Sequence, residues 1–578
     1  MALPYQVVSA GRLEQAYAAE LKRLRGEKAV ERLWAKDATL WQKDESQTSL
    51  IRNRLGWIGV LERMRSAAAE IEVFVSEVEA AGLRNMVLLG TSGCTLAADV
   101  FARMHPAPEG KRFFLLDTPD PDSMRAVERE SELESTLFIV ASKSGKAMET
   151  VAQFLYFLDR LKTAGIGTPG SRFAAITDEG TYLHRLGRQY RFRKVFLNPS
   201  DIGGRYAALA HFGLVPAALC GVSLDTVLRG AEEMREASGP SATGPNPALQ
   251  LGALLGAAEA QGHDRLVLLT TPSLAPLGHW IEQQIAESTG KESRGIVPVA
   301  GEAPWTLPLF EQGCVVATLR QEGEDAAPFD ETVKALESRG VPMVTIRLAG
   351  FQDLGAEFFK WEAATALAAV LLGVNPYDEP NEQEGQARTA QLLEECDRKG
   401  ALPSATVRLF EGGIELYAEG RTRQAISTLR LSDALRTFLG MRSREDYVAL
   451  LAFIEWNEEN CRRLERIRTS LAEALDVPVL LGCGPRYLYS LGQLFKGGPP
   501  TGMYLMITAA HAQDVAIPGA RYSFGQLLLA QALGDFESLQ RRNKPVLRLH
   551  LREGVQEGLS HLAQVVDHTV AHLRAAPP

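Results

Sequence analysis

Cysteine is scarce and scattered. Cys94, Cys220, Cys314, Cys396, Cys461 and Cys483 stand singly among 578 residues, with no C-x-x-C pair. That distribution supports neither a structural zinc site nor a disulfide framework, and it fits a reducing compartment. Long apolar runs are lacking too. The longest, Ala363 to Val374, falls well short of the ~20 residues needed to cross a bilayer. The opening stretch MALPYQVVSAGRLEQ is too polar for a secretory signal. Positive charge is in deficit: 62 Lys and Arg against 71 Asp and Glu leave −9, with no dense basic run. Neither nucleic acid nor an anionic membrane is therefore an expected partner. At 46% hydrophobic, and long enough for three to four domains, this is the composition of an ordinary globular chain. The expected location is cytoplasmic.

Residues 11–80 carry apolar positions at helical spacing, such as Leu13, Tyr17, Leu21 and Leu24. From Met86 the pattern changes to short apolar runs that end at small residues. Met86–Gly90, Phe113–Asp117, Leu137–Ser142, Phe173–Asp178 and Lys194–Asn198 form the first set. A second set comprises Arg265–Thr270, Cys314–Leu319 and Pro342–Leu348, and resumes at Val477–Gly484, Gly502–Thr508 and Val546–Leu551. Continuously apolar strands alternating with helices predict parallel sheets covered on both faces, hence an α/β fold. The expected organisation is a helical segment over 1–70, a first sheet domain over 71–240 and a second over 241–578. That second domain carries a helical insertion at about 355–475, and the Gly/Pro/Ser-rich stretch Ala237–Ala248 is the linker candidate. In open parallel sheets, ligands bind outside the carboxyl ends of the strands.

Four loops carry candidate chemistry. Ser142-Lys143-Ser144-Gly145-Lys146 follows a strand and opens a helix, so hydroxyls and free amides make an anion cradle. A serine-rich helix cap without a ligand gives the same pattern. The loop is not a Walker A sequence, whose spacing it lacks. Gly90-Thr91-Ser92-Gly93-Cys94-Thr95 lets backbone amides approach a sugar or phosphate, although a tight turn explains it equally well. Gly203-Gly204-Arg205 displays an arginine suited to developing negative charge, against the plainer reading of a surface arginine after a turn. Glu287 sits late in an amphipathic helix beside Ser288, Thr289 and Gly290, where a carboxylate can act as a base or simply be solvated. His568 and His572 have metal-ligand spacing but no third ligand near them, so no metal is expected there.

Taken in order, LLGTSGCTLAADV, IVASKSGKAMET, NPSDIGGRYAALAHFGLVPAAL, WIEQQIAESTGKESRGIVPV, LLGVNPYDEP and YSFGQLLLAQALGD resemble the glucose-6-phosphate isomerase family. The resemblance is strongest to the isomerase half of bifunctional transaldolase/glucose-6-phosphate isomerase proteins. No eight βα units precede the first sheet, so the transaldolase barrel itself is not expected here. The resemblance implies two sugar-isomerase (SIS), flavodoxin-like parallel-sheet domains with helical additions and the site between them. It implies an aldose–ketose isomerase acting on a hexose 6-phosphate through a cis-enediol, without metal or organic cofactor. Ser142, Lys143 and Ser144 would hold the phosphate. Gly90, Gly93, Thr95, Gly204 and Gln493 would contact substrate, Arg205 would stabilise the enediolate, and Glu287 would move the proton between C2 and C1. A homodimer and an association with transaldolase are the protein partners it raises.

The departures are specific. Ser92 and Cys94 replace a glycine and a serine of the family's first loop, and Lys146 and Ala147 replace two threonines of the phosphate loop. At the ring-opening positions Gln386 stands for a lysine and Tyr489 for a histidine. Glutamine transfers no proton, and tyrosine titrates far above neutrality. Enediol chemistry then survives with weakened ring opening. The alternative reading is a degenerate isomerase that senses or scaffolds a sugar phosphate.

Overall fold

Small residues at the ends of apolar runs set where strands stop. The computed structural model describes residues 3–105, 108–301, 313–403 and 405–575. Among these, residues up to 117 together with 127–301 and 313–379 form one unit, and residues 118–126 together with 380–575 form a second.

The first unit holds two sheets. Strand β1 (Tyr5–Ser9) opens the chain, and β2 (Asn85–Gly90), β3 (Arg112–Leu116), β4 (Thr136–Ala141), β5 (Phe173–Thr177) and β6 (Lys194–Leu197) follow. β2 to β6 make an all-parallel sheet in the order β3-β2-β4-β5-β6. β2 and β4 are buried along their whole length, as their unbroken apolar runs require. Counted from its own first strand, the order is that of flavodoxin-like sheets, whose switch point falls between β2 and β4. The loops after these two strands open onto that crevice.

β7 (Arg265–Thr270), β8 (Val297–Ala300), β9 (Cys314–Gln321) and β10 (Met343–Leu348) form the other sheet in the order β1-β10-β9-β7-β8. β1 pairs antiparallel with β10 at its edge, Tyr5 opposite Arg347. The long apolar run belongs to a helix, Leu354–Leu372, buried at every residue and packed against the helices Leu224–Ala237 and Pro247–Ala260. Its hydrophobicity therefore serves the core. Among the described residues no helix is long and apolar enough to cross a membrane.

The second unit has one six-stranded sheet. Its strands are β11 (Leu409–Glu411), β12 (Ile414–Tyr417), β13 (Tyr447–Phe453), β14 (Val479–Cys483), β15 (Gly502–Ala509) and β16 (Val546–Leu551), in the order β11-β12-β16-β15-β13-β14. β13 to β16 are parallel, and β11–β12 is an antiparallel hairpin beside β16. This differs from the expected resumption of the 265–348 sheet. The runs after residue 475 pair with one another and with β13, which lies inside the stretch expected to be helical. The N-terminal stretch likewise contains β1, and Ala237–Ala248 joins two helices of the first unit.

Candidate active site

Residues 142–147 connect β4 to the helix Met148–Thr163. The Ser142 N–H donates to the Ile176 carbonyl at 3.1 Å, fixing the loop to β5. Gly145 adopts φ +65°, and a Cβ there would stand 2.7 Å from the Thr181 Cβ, so the turn excludes any larger residue. Ser144 is exposed, and its Oγ accepts the Lys146 N–H at 3.3 Å. The helix N-cap is Ala147, and no side chain caps it. The serine-cap reading of this loop therefore does not hold, and the helix turns its N-terminal end toward this loop, where an anion is favoured. Lys143 is anchored: its Nζ donates to Asp178 Oδ2 at 2.5 Å and to the Ser200 carbonyl at 3.0 Å. Burial raises the Asp178 carboxyl while Lys143 pulls it down.

The loop after β2 lies beside this cradle. A Cβ on Gly90 would meet the Thr95 methyl at 2.7 Å and the Ala141 carbonyl oxygen at 2.9 Å, so only glycine lets β2 run this close to β4 and to the next helix. Thr95 is buried, and the Cys94 thiol is pushed up to about 12 by burial, against the pull of Lys143. Cys94 thus stays neutral. The Ser92 side chain lies outside the described residues. Gly93 packs on Gly204: a Cβ on Gly204 would stand 3.4 Å from the Gly93 oxygen, and one on Gly93 would stand 3.5 Å from Gln283 Nε2.

Arg205, in the single turn Gly204–Tyr206, meets Glu287 from the helix Ala275–Thr289 at 2.6 Å (Nη1 to Oε1). Their side chains are only 3% and 8% exposed. A buried guanidinium is tolerable only when paired and fully hydrogen-bonded. Here every nitrogen has an acceptor: Nε donates to Ser288 Oγ at 3.0 Å, Nη1 also reaches Glu379 at 3.4 Å, and Nη2 donates to the carbonyls of Pro376 at 2.7 Å and Asp378 at 3.0 Å. Gln283, one turn before Glu287, donates to its second oxygen at 3.1 Å. Burial raises the Glu287 carboxyl above its ordinary 4.5; Arg205 opposes that and Glu379 adds to it. Lys291, also buried, donates to the Asn375 carbonyl and lies 2.8 Å from Asp378 Oδ1. Burial and the nearby Arg205 push its ammonium down to about 8, against Asp378.

The first unit therefore carries Gly90, Gly93 and Thr95 on β2 and the helix after it, Ser142, Lys143 and Ser144 on the loop after β4, Gly204 and Arg205 on the turn Gly204–Tyr206, and Glu287 on the helix Ala275–Thr289. The remaining candidates belong to the second unit. Gln493 is wholly buried, and its Oε1 accepts the Asn381 N–H at 3.0 Å, satisfying the start of the helix Pro380–Lys399. Gln386 is exposed on that helix and bonds Glu382 at 3.0 Å. Tyr489 ends a short turn, Arg486–Tyr489, and is partly buried. Residues not singled out from sequence are Gln283, Lys291 and Glu379. Only Gln283 had a readable signal, its four-residue spacing from Glu287.

A family model for phosphoglucose isomerase matches residues 57–296. This segment is similar to that family. It contains every candidate of the first unit, from Gly90 to Glu287. The glucose-6-phosphate isomerase of Rubrobacter xylanophilus is 27% identical over 394 residues, covering 59% of this chain and 89% of the relative. The glucose-6-phosphate isomerase of Methanocaldococcus jannaschii is 25% identical over 347 residues, 54% of this chain and 85% of the relative. Among solved structures, a hypothetical protein from Thermus thermophilus superposes with a TM-score of 0.58 at 24% identity, covering 67% of this chain and 99% of its own. A glucose-6-phosphate isomerase from Chlamydia trachomatis gives 0.54 at 18% identity, with 68% and 88% covered. These two likenesses establish the fold.

Proposed function

We propose that this protein is an aldose–ketose isomerase that interconverts glucose 6-phosphate and fructose 6-phosphate through a cis-enediol. The observation that carries the reading is the buried Arg205–Glu287 contact at 2.6 Å, within the segment matched by the phosphoglucose isomerase model. Proton transfer between C2 and C1 needs one base that takes a proton and returns it to the neighbouring carbon, and a single carboxylate can do both. Glu287 is that base. Burial raises its carboxyl and so strengthens it as a base, while Arg205 opposes that rise. The enediolate gathers negative charge on its oxygens, and the Arg205 guanidinium, held in place by five acceptors, stabilises that charge through its fixed positive field. The phosphate sits on Ser142, Ser144 and the N-terminal end of the helix Met148–Thr163, with Lys143 held alongside by Asp178.

Relatives bearing the isomerase name favour this enzyme reading over the sensor reading. Purified protein supplied with fructose 6-phosphate, with glucose 6-phosphate read by a coupled dehydrogenase, is expected to turn over. Absence of turnover with retained sugar-phosphate binding would establish the sensor instead. Gln386 and Tyr489 leave ring opening to the spontaneous reaction, so turnover is expected to become limited by open-chain substrate.

The phosphate loop makes its own prediction. Ser144→Asp places a carboxylate where the dianion should sit. Two like charges ~4 Å apart repel by about 4 kcal/mol at an effective dielectric near 20. Side-chain movement and the nearby lysines relieve part of that, so sugar-phosphate affinity is expected to fall at least ~100-fold, about 2.7 kcal/mol. Aspartate can still accept the Lys146 N–H, so the fold should persist. Calorimetric titration with a 6-phosphate sugar, with melting as the folding control, decides it; equal affinities place the phosphate elsewhere.

A further inference from the structure

Within the second unit, Asp120, Asp122 and His511 offer ligand atoms that all lie within 4.8 Å of one another. His511 Nδ1 is 3.3 Å from Asp122 Oδ2 and 3.8 Å from Asp120 Oδ2. Asp120 is fully buried, and its two oxygens do different things. Oδ1 accepts the N–H groups of Asp122 at 3.0 Å and Ser123 at 2.8 Å, capping the helix Pro121–Ser131. Oδ2 is buried without a hydrogen bond and faces the imidazole.

A plain His–Asp ion pair accounts for Asp122 but leaves that Asp120 oxygen beyond hydrogen-bond reach, a costly position for a buried carboxylate. From these residues we infer a divalent-cation site of the zinc class, held by Asp120 Oδ2, Asp122 Oδ2 and His511 Nδ1. Ligands ~2.1 Å from a tetrahedral centre stand about 3.4 Å apart, close to the two separations observed. Two carboxylates and one imidazole suit Zn²⁺, and a water completes the set. The surrounding charge is mixed: Asp514 adds negative potential at His511, while Arg125 occupies the other oxygen of Asp122 and His550 lies near. Such a cation would tie the 118–126 segment to the turn after β15, through residues the proposed isomerase chemistry does not use.

The test uses the full chain, stripped with chelator and titrated with Zn²⁺ by competition calorimetry and with Co²⁺ by visible absorption. One Zn²⁺ per chain is expected, with tetrahedral Co²⁺ bands and a raised melting midpoint. Asp120→Asn keeps the helix cap, since asparagine caps as well as aspartate. It and His511→Gln are each expected to weaken binding at least about 100-fold. His568→Ala/His572→Ala, which removes the other histidine pair, is expected to bind as wild type does. The inference is overturned if wild type takes up no Zn²⁺, if Asp120→Asn and His511→Gln both bind undiminished, or if binding vanishes with the His568/His572 pair.

Discussion

Glutamine at position 287 is expected to lower turnover about 10³-fold, in the middle of the range for removal of a general base, while leaving the Michaelis constant nearly unchanged. The substitution keeps size and one carbonyl oxygen, so Arg205 retains an acceptor there. Arg205 also keeps Glu379 and the carbonyls of Pro376 and Asp378, so no buried charge is orphaned. What disappears is the proton acceptor alone. Steady-state rates in both directions, with loss of solvent-hydrogen exchange at C2, measure it; a variant that turns over like wild type removes Glu287 from the mechanism. The pH profile gives the same answer independently. A base works deprotonated, so wild-type kcat/KM must fall as pH drops through the Glu287 value. Burial raises that value, so the acid limb should lie above the ordinary 4.5. In Glu287→Gln the residual rate should lose that limb.

Much of this site was legible because single-residue chemistry and strand-loop-helix order are local. Arg265–Thr270 and Val546–Leu551 are strands at the residues expected, since each is a short apolar run with clear breaks. Elements that depend on a distant partner were not legible. β1 shows an alternating exposed pattern and exists only because Ser9 to Tyr5 line up along β10, more than 300 residues away. β8 is four residues long and contains Pro298, which removes a ladder donor and lets it read as loop. β13 hides between helical, polar segments and is identified by its partners on both sides. The same limit applies in the site. Lys143 reads as a phosphate ligand, but its anchoring to Asp178 depends on where β5 ends. Gln493 reads as a substrate contact, whereas its Oε1 satisfies the N–H of Asn381 across 112 residues of sequence.

Arg205 should be the most damaging position to truncate, because two separate costs coincide there. Arg205→Met leaves Glu287 buried without its cation and the Pro376 and Asp378 carbonyls without their donor. Breaking one side of a buried pair typically destabilises by about 3–5 kcal/mol. The enediolate also loses its fixed positive charge, which removes roughly 10²–10³ in turnover. Arg205→Lys keeps the charge but not the planar fork, so most of the stability and only part of the rate should remain. The double variant Arg205→Met/Glu287→Gln separates the two costs. Once the carboxylate is gone, no uncompensated charge is buried, so the double variant should resist denaturant better than Arg205→Met alone. Its turnover should be no lower than that of the worse single variant, because both groups serve one proton transfer. Folding of Arg205→Met should also depend on pH. Without the guanidinium the folded-state carboxyl rises further above 4.5, so the folded state binds more protons than the unfolded one. Stability is then greatest at low pH and falls as pH climbs through that interval. Denaturant midpoints at several pH values test this: a double variant weaker than Arg205→Met, or a single variant indifferent to pH, would mean that the 2.6 Å contact carries no charge coupling.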